Sequence, residues 1–193
     1  MLKLSARHQI VIGFVLVLLF AATRGYHFAT MQSMLPSASW AVFFLVGVYL
    51  RPTWVPALFL AVAGALDYAA VTWAGVSDFC VSPAYLALIP AYAALWFAGR
   101  WYAAHYRFKA VTLLPLAGST LIGALLAELI SSGSFYLFSE RFSDPNLTQF
   151  IAREIHYFPM YLGPMVFWIA LAGLIHVAVV ALHSSAAKPK LSG

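Results

Sequence analysis

Charge is what this sequence has least of. Only 9% of its 193 residues are Asp, Glu, Lys or Arg, against roughly 25% in soluble domains, while 63% are hydrophobic. That balance excludes a water-soluble globular fold, because a chain of this length cannot hide so many Phe, Trp, Leu and Ala side chains. It excludes a disordered chain as well. Cysteine is almost as scarce. A single thiol, Cys80, closes no internal disulfide and cannot by itself build a closed zinc or Fe–S site. Also lacking are a phosphate-binding glycine loop, an HExxH pair, a CxxC pair and any convincing internal repeat, which removes motor ATPases and membrane zinc proteases. What is abundant is apolar length. A bilayer makes exposed apolar surface the stable state, so the composition points to an all-α integral membrane protein.

Six mainly apolar stretches approach the roughly 20 residues that a span requires: 8–27, 34–51, 53–74, 82–104, 110–138 and 154–183. Arg51-Pro52, the polar connector Gly75-Val76-Ser77-Asp78 and the basic run from Arg100 to Lys109 separate them. The last two stretches exceed the bilayer thickness, so they tilt or protrude beside Ser139–Arg153. The first stretch also fits a secretory signal cleaved near Ala21-Ala22, which would leave five spans. The basic residues discriminate between the two. With six spans, Lys3, Arg7, Arg51, Arg100, Arg107, Lys109, Lys188 and Lys190 lie on the side of the termini, against Arg24, Arg141 and Arg153 opposite. The positive-inside rule then places both termini in the cytoplasm and reads the 11 Lys+Arg as topology rather than as a nucleic-acid surface. Residues 1–183 form one six-helix domain on this reading, and the small, polar and basic 184–193 forms a flexible cytoplasmic tail.

The six acidic residues all belong to the outer half. Asp78, Glu140, Asp144 and Glu154 fall in or beside outer connections, and Asp67 and Glu128 sit about 21 and 27 Å from the cytoplasmic ends of their spans at 1.5 Å per residue. Ionisable groups in a membrane usually face the bundle interior and a partner. Arg24 and His27 end the first stretch; Asp67 lies near the outer end of the third; Cys80 and Tyr85 bracket the start of the fourth. Glu128 lies toward the outer end of the fifth, and Arg153, Glu154, His156 and Tyr157 open the sixth. Groups from five helices at one depth suggest an extracytoplasmic cavity with apolar walls and polar anchors. Each has a plainer reading: Arg24 and Arg153 as snorkelling cations, Tyr85 and Tyr157 as aromatic-belt residues, His27 and His156 as interfacial ones. Ala57, Ala61, Ala65 and Ala69 recur every four residues, a small-residue stripe expected to pack against a neighbouring helix of the same chain rather than dock a partner.

Cys80 carries the most chemistry. It stands in Ser77-Asp78-Phe79-Cys80-Val81-Ser82-Pro83, just before a helix whose first turn contains Pro83 and whose free N–H groups and positive dipole end favour a thiolate, with Asp78 opposing. A thiolate at an outer mouth is a soft-metal ligand. As the sole such ligand it needs a metal that arrives already held by a cofactor.

Six short spans, cytoplasmic termini and an outer pocket resemble the substrate-binding S components of energy-coupling-factor (ECF) vitamin transporters, and within them the BtuM family, the solitary S components for cobalamin. The carriers are Asp67 in Gly64-Ala65-Leu66-Asp67-Tyr68, Cys80 in Asp78-Phe79-Cys80-Val81-Ser82-Pro83-Ala84-Tyr85, and Arg153 in Ala152-Arg153-Glu154-Ile155-His156. The resemblance implies an inner-membrane uptake protein in which Cys80 ligates the corrinoid cobalt, Asp67, Tyr85 and Arg153 line or brace the pocket, and His27 sits at the same mouth. It also implies a catalytic use of Cys80: loss of cyanide from cyanocobalamin, with coordination that leaves cyanide in place as the alternative. One feature departs from the pattern. The Ala-x-x-x-Ala motif that docks an ECF energising module is missing from the first stretch, which offers only Gly13-x-x-x-Val17. Two other classes fit the sequence: a small membrane haem or redox protein using His27 and His156, and a non-catalytic helical scaffold.

Overall fold

The computed structural model describes residues 4–24, 35–73 and 83–186. Among these the regular structure is helical, with no strand. Six α-helices follow in order: α1 (Ala6–Arg24), α2 (Ser39–Tyr49), α3 (Val55–Trp73), α4 (Leu88–His105), α5 (Leu113–Phe138) and α6 (Leu147–Ala186). Short 3-10 turns, Pro83–Ala87 and Ala110–Thr112, lead into α4 and α5. Each α-helix falls on one of the six apolar stretches. Four of them, α1, α3, α5 with its leading turn, and α6, are long and apolar enough to cross a membrane. The outward faces suit such a setting, because they present large apolar side chains such as Phe14, Leu18, Leu114, Ile122, Leu174 and Leu182 that water would reject.

The shortest helix is the centre of the molecule. At 11 residues α2 rises only about 17 Å, little more than half of a bilayer core. Its sequence, SWAVFFLVGVY, has no polar face, and a helix apolar all round belongs in a core. Ala41 through Val48 are all buried. Two glycines allow the close approach that buries it. A Cβ on Gly47 would stand within 2.9 Å of the Arg100 nitrogen and nearer still to the Trp96 carbonyl oxygen. A Cβ on Gly99 would stand 2.9 Å from the Phe44 carbonyl carbon and would overlap its oxygen. So α2 and α4 meet backbone to backbone. On the opposite side of α4, Gly123 of α5 leaves room for Ala98. Phe20 of α1, Phe43 of α2 and Phe59 of α3 meet ring to ring at 5.9–6.2 Å and complete the core on the other flank.

Polar residues mark the helix ends. Arg51-Pro52 ends α2, since the residue before a proline is pushed out of helical geometry. The Arg100 guanidinium donates to the Leu50 and Arg51 carbonyls at 2.9 and 2.6 Å, satisfying acceptors that a helix C-terminus leaves open. Gln9 of α1 accepts the Arg51 N–H at 2.9 Å, and the Tyr106 hydroxyl after α4 pairs with His176 of α6 at 2.9 Å. The start of α1 and the last turns of α6 therefore share the end of the bundle that carries Arg51 and Arg100.

Two expectations need correction. The sixth helix begins at Leu147 instead of residue 154, because the Asn146 side chain accepts the Gln149 N–H at 3.0 Å and caps a polar first turn that hydropathy does not reveal. The helix continues through Pro159 and Pro164 to Ala186, three residues into the expected tail; 187–193 lie outside the described residues. Its 40 residues span about 60 Å, twice a hydrocarbon core. The alanine stripe is mostly unpacked among the described residues: Ala57, Ala61 and Ala65 are exposed and Ala69 is half-buried, while α3 turns Val55, Phe59, Ala63 and Ala70 inward. Phe59 fixes the inward face by meeting the Phe20 and Phe43 rings, and Ala57, Ala61 and Ala65 lie off that face.

Candidate functional site

At the end of the bundle opposite Arg51 and Arg100, four polar side chains converge on Arg24. It is the last residue of α1, where a cation is favoured by the helix dipole. Thr23 beside it donates to the Leu19 carbonyl at 2.8 Å and accepts the Ala38 N–H at 3.1 Å, which fixes the start of α2 against the end of α1. The Arg24 guanidinium grips Asp67 of α3 with both prongs, Nε to Oδ1 at 2.9 Å and Nη2 to Oδ2 at 2.7 Å. Its remaining nitrogen, Nη1, donates to the Tyr92 hydroxyl of α4 at 2.8 Å and to Ser39 Oγ of α2 at 3.4 Å. The Tyr85 hydroxyl donates to Asp67 Oδ2 at 2.5 Å. Planar donor and planar acceptor in bidentate register make the strongest kind of charged hydrogen bond, and rings supply the rest of the setting. Phe20 and Tyr92 lie 5.1 and 5.7 Å from the guanidinium carbon, and Tyr92 stacks on Phe43 at 4.2 Å.

The arrangement is electrically neutral and graded in exposure. Arg24 keeps 9% of its side-chain surface and Asp67 keeps 32%, so the cation is sunk in the bundle and the carboxylate looks outward. A cavity of about 170 Å³ adjoins it, lined by Leu60, Ala63, Tyr85, Leu86, Leu88, Ile89 and Tyr92. That is below the roughly 300–1,000 Å³ of small-molecule sites, so the described residues there do not enclose a ligand-sized pocket.

The chain matches no family model and no curated protein. Its own geometry therefore carries the functional reading.

Of the residues singled out in the sequence, the structure joins Arg24, Asp67 and Tyr85. Cys80 and His27 lie outside the described residues. Their chain neighbours do not: Arg24 precedes His27 by three residues, and Trp73 and Pro83 flank the segment that holds Cys80. Arg153 takes no part in the Arg24 network. It stands on the first turns of α6 with its guanidinium 4.8 Å from the Phe142 ring and 5.2 Å from Tyr157. His156 is exposed and packs edge-on against Tyr157 at 4.8 Å. Glu128 and Glu154 form a separate group between α5 and α6. Among the described residues the mouth expected from the sequence divides into two polar groups at one end of the bundle, one on α1–α4 and one on α5–α6.

Tyr92 and Ser39 were not foreseen. No local signal separates Tyr92 from the other aromatic residues of α4. Arg24 was foreseeable as an anchor: it is the basic residue at the depth of Asp67, and a span carboxylate demands a partner. Tyr85→Phe removes one of three donors to Asp67 and leaves the Arg24 bond intact. The expected result is a folded protein destabilised by about 1 kcal/mol, below the range for fully buried bonds to charged groups because Asp67 retains water. The midpoint of thermal unfolding in detergent measures it.

Proposed function

We propose that this chain takes up cobalamin across the inner membrane. The six-helix bundle sits in the bilayer with α2 enclosed by its neighbours, both termini are cytoplasmic, and the corrinoid binds at the outer end of the bundle with the Cys80 thiolate on cobalt. The observation that supports this most is the Arg24–Asp67–Tyr85 network. It ties α3 to the turn that opens α4, the two elements between which the Cys80 segment runs, and so holds the ends of that segment at a fixed spacing. The thiolate supplies the soft donor that cobalt accepts, while Asp67 and Tyr85 offer polar contacts to the amide-rich rim of a corrinoid. Arg153 and His27 extend the site from the neighbouring helix ends. The termini and Arg51, Arg100, Arg107 and Lys109 on the opposite side satisfy the positive-inside rule.

A thiolate on one axial face labilises a ligand on the other. On the Cys80 face a Co–S bond would replace the bond to the nucleotide-loop base, and on the other face water would take the place of cyanide, which leaves as the anion; cobalt stays trivalent and no reductant is consumed. Energising by an ECF module lacks the first-helix motif; the exposed Ala57, Ala61 and Ala65 face of α3 is the surface that suits such a partner.

Equilibrium binding of cyanocobalamin to the purified protein tests the reading. Saturation at one corrinoid per chain, with cyanide freed in step by wild type and not by Cys80→Ala, is the expected result. A protein that binds no corrinoid and shows instead reduced-minus-oxidised bands lost in His27→Ala would overturn it in favour of haem.

A further inference from the structure

One face of α5 is polar at every turn but one. Thr120, Ala124, Glu128, Ser132 and Tyr136 follow at intervals of four residues, the spacing that stacks side chains on one side of a helix. Their partners become fewer with depth. At the outer end the Tyr136 hydroxyl bonds the Asn146 carbonyl and Gln149 Oε1 at 3.2 Å each and accepts the Asn146 N–H at 3.0 Å. One turn deeper, Ser132 Oγ donates to Glu154 Oε1 of α6 at 2.5 Å. Another turn deeper, Glu128 is 2% exposed, and its carboxyl makes no hydrogen bond among the described residues. Deepest, the buried Thr120 hydroxyl has no partner among them either.

A carboxyl buried in a membrane bundle without a donor is costly, and such residues mark ion or proton pathways. The surroundings of Glu128 say which. Ser132, one turn along the same face of α5, holds the Glu154 carboxylate of α6, which sets that second carboxylate beside Glu128. On the other side α4 sets Leu95 and Ala98 against α5, and the Pro83–Ala87 turn packed on α5 brings Tyr85, whose hydroxyl is committed to Asp67. Arg153 is held over two rings and makes no ion pair with either glutamate among the described residues. Two carboxyl groups that face each other with no cation cannot both ionise cheaply, and one proton between them removes the conflict. No group of three or more metal-ligating side chains stands among the described residues, so a metal ion has no ligand set there.

We propose that Glu128, with Ser132 and Glu154, is a proton-exchange site that opens to the outer end of the bundle. Glu128 takes a proton from the outer bath and returns it there, an O–H bond forming on the carboxylate as one breaks in hydronium, while Ser132, one turn toward the outer end, holds the Glu154 carboxylate with its own hydroxyl. One proton moves, and only O–H bonds break and form. The site gives a chain without the usual docking motif a means of coupling uptake to a proton gradient. That coupling and the assignment of the outer end rest on the reading above; proton binding itself does not.

Infrared difference spectroscopy of the full chain in lipid, as the bath passes from alkaline to acidic, tests the site without any corrinoid. The expected result is a carboxylic-acid carbonyl band that shifts in deuterated buffer, persists in Glu128→Asp and is lost in Glu128→Gln. Glu154→Gln is expected to keep the band and move its midpoint. An identical band in wild type and Glu128→Gln, or none in wild type, would overturn the proposal. So would a band that answers to replacing sodium by choline at constant pH, which would make the ion sodium. Helical content and elution volume of each variant report its folding. Failure of cobalamin binding with the band intact would strike the uptake reading alone.

Discussion

Asp67→Ala is expected to destabilise the protein by about 3–4 kcal/mol, and Arg24→Ala by about 2–3 kcal/mol. The order follows from exposure. Removing Asp67 leaves a guanidinium with 9% of its surface free and only neutral partners, the Tyr92 and Ser39 oxygens. Removing Arg24 leaves a carboxylate that still has the Tyr85 hydroxyl and a third of its surface in reach of water. Both figures stand at or below the lower part of the range for breaking a buried pair, because this one is not fully enclosed. Asp67→Asn keeps the acceptor for Tyr85 and Arg24 Nη2 but sets its amide nitrogen against the Arg24 Nε–H, losing the charge and one of the two Arg24 bonds, so it falls between wild type and Asp67→Ala. The double variant Arg24→Ala/Asp67→Ala should cost less than the sum of the singles, since neither charge is then stranded. Thermal or denaturant midpoints in detergent across the cycle give the coupling directly.

Gly99→Ala and Gly47→Ala form the second large effect. In an isolated helix alanine is favoured over glycine by about 1 kcal/mol. Here the added methyl meets the backbone of the facing helix, Phe44 in one case and Trp96 in the other, and backbone cannot swing aside as a side chain can. The helices must separate along their whole crossing and loosen the Phe43–Tyr92 stack above it. The expected loss is about 3 kcal/mol, at the upper end for overpacking. Gly64→Ala and Gly173→Ala, with nothing within 4 Å of the new methyl, are the controls. They should be neutral or stabilising by up to ~1 kcal/mol. Unfolding midpoints that fail to separate the two sets would refute the backbone contact.

How much of this was legible in the sequence depends on the kind of signal. Apolar stretches locate all six helices because burial in lipid or core leaves its mark on every residue. They misplace boundaries where a cap decides, as Asn146 does for α6. They give no warning that α2 is too short to span and is enclosed instead, since lipid and protein interiors favour the same side chains. The alanine stripe of α3 misleads for a related reason: spacing shows that small residues share a face, but which face turns inward is settled by Phe59 and its ring partners. In the site, depth counting brought Arg24, Asp67 and Tyr85 to one level without pairing them. It also merged the Glu128–Glu154 group with the Arg24 group, because depth along the membrane normal says nothing about position around the bundle.

The proposed uptake role rests on a bond between the Cys80 sulfur and cobalt. The most direct measurement is the visible spectrum of the purified protein mixed with cyanocobalamin, for wild type, Cys80→Ser and Cys80→Ala. Wild type is expected to displace the corrinoid bands from their positions in free cyanocobalamin, Cys80→Ala to leave them where they are in solution, and Cys80→Ser not to restore the wild-type spectrum. Identical spectra for wild type and Cys80→Ala, with corrinoid bound to both, would contradict it.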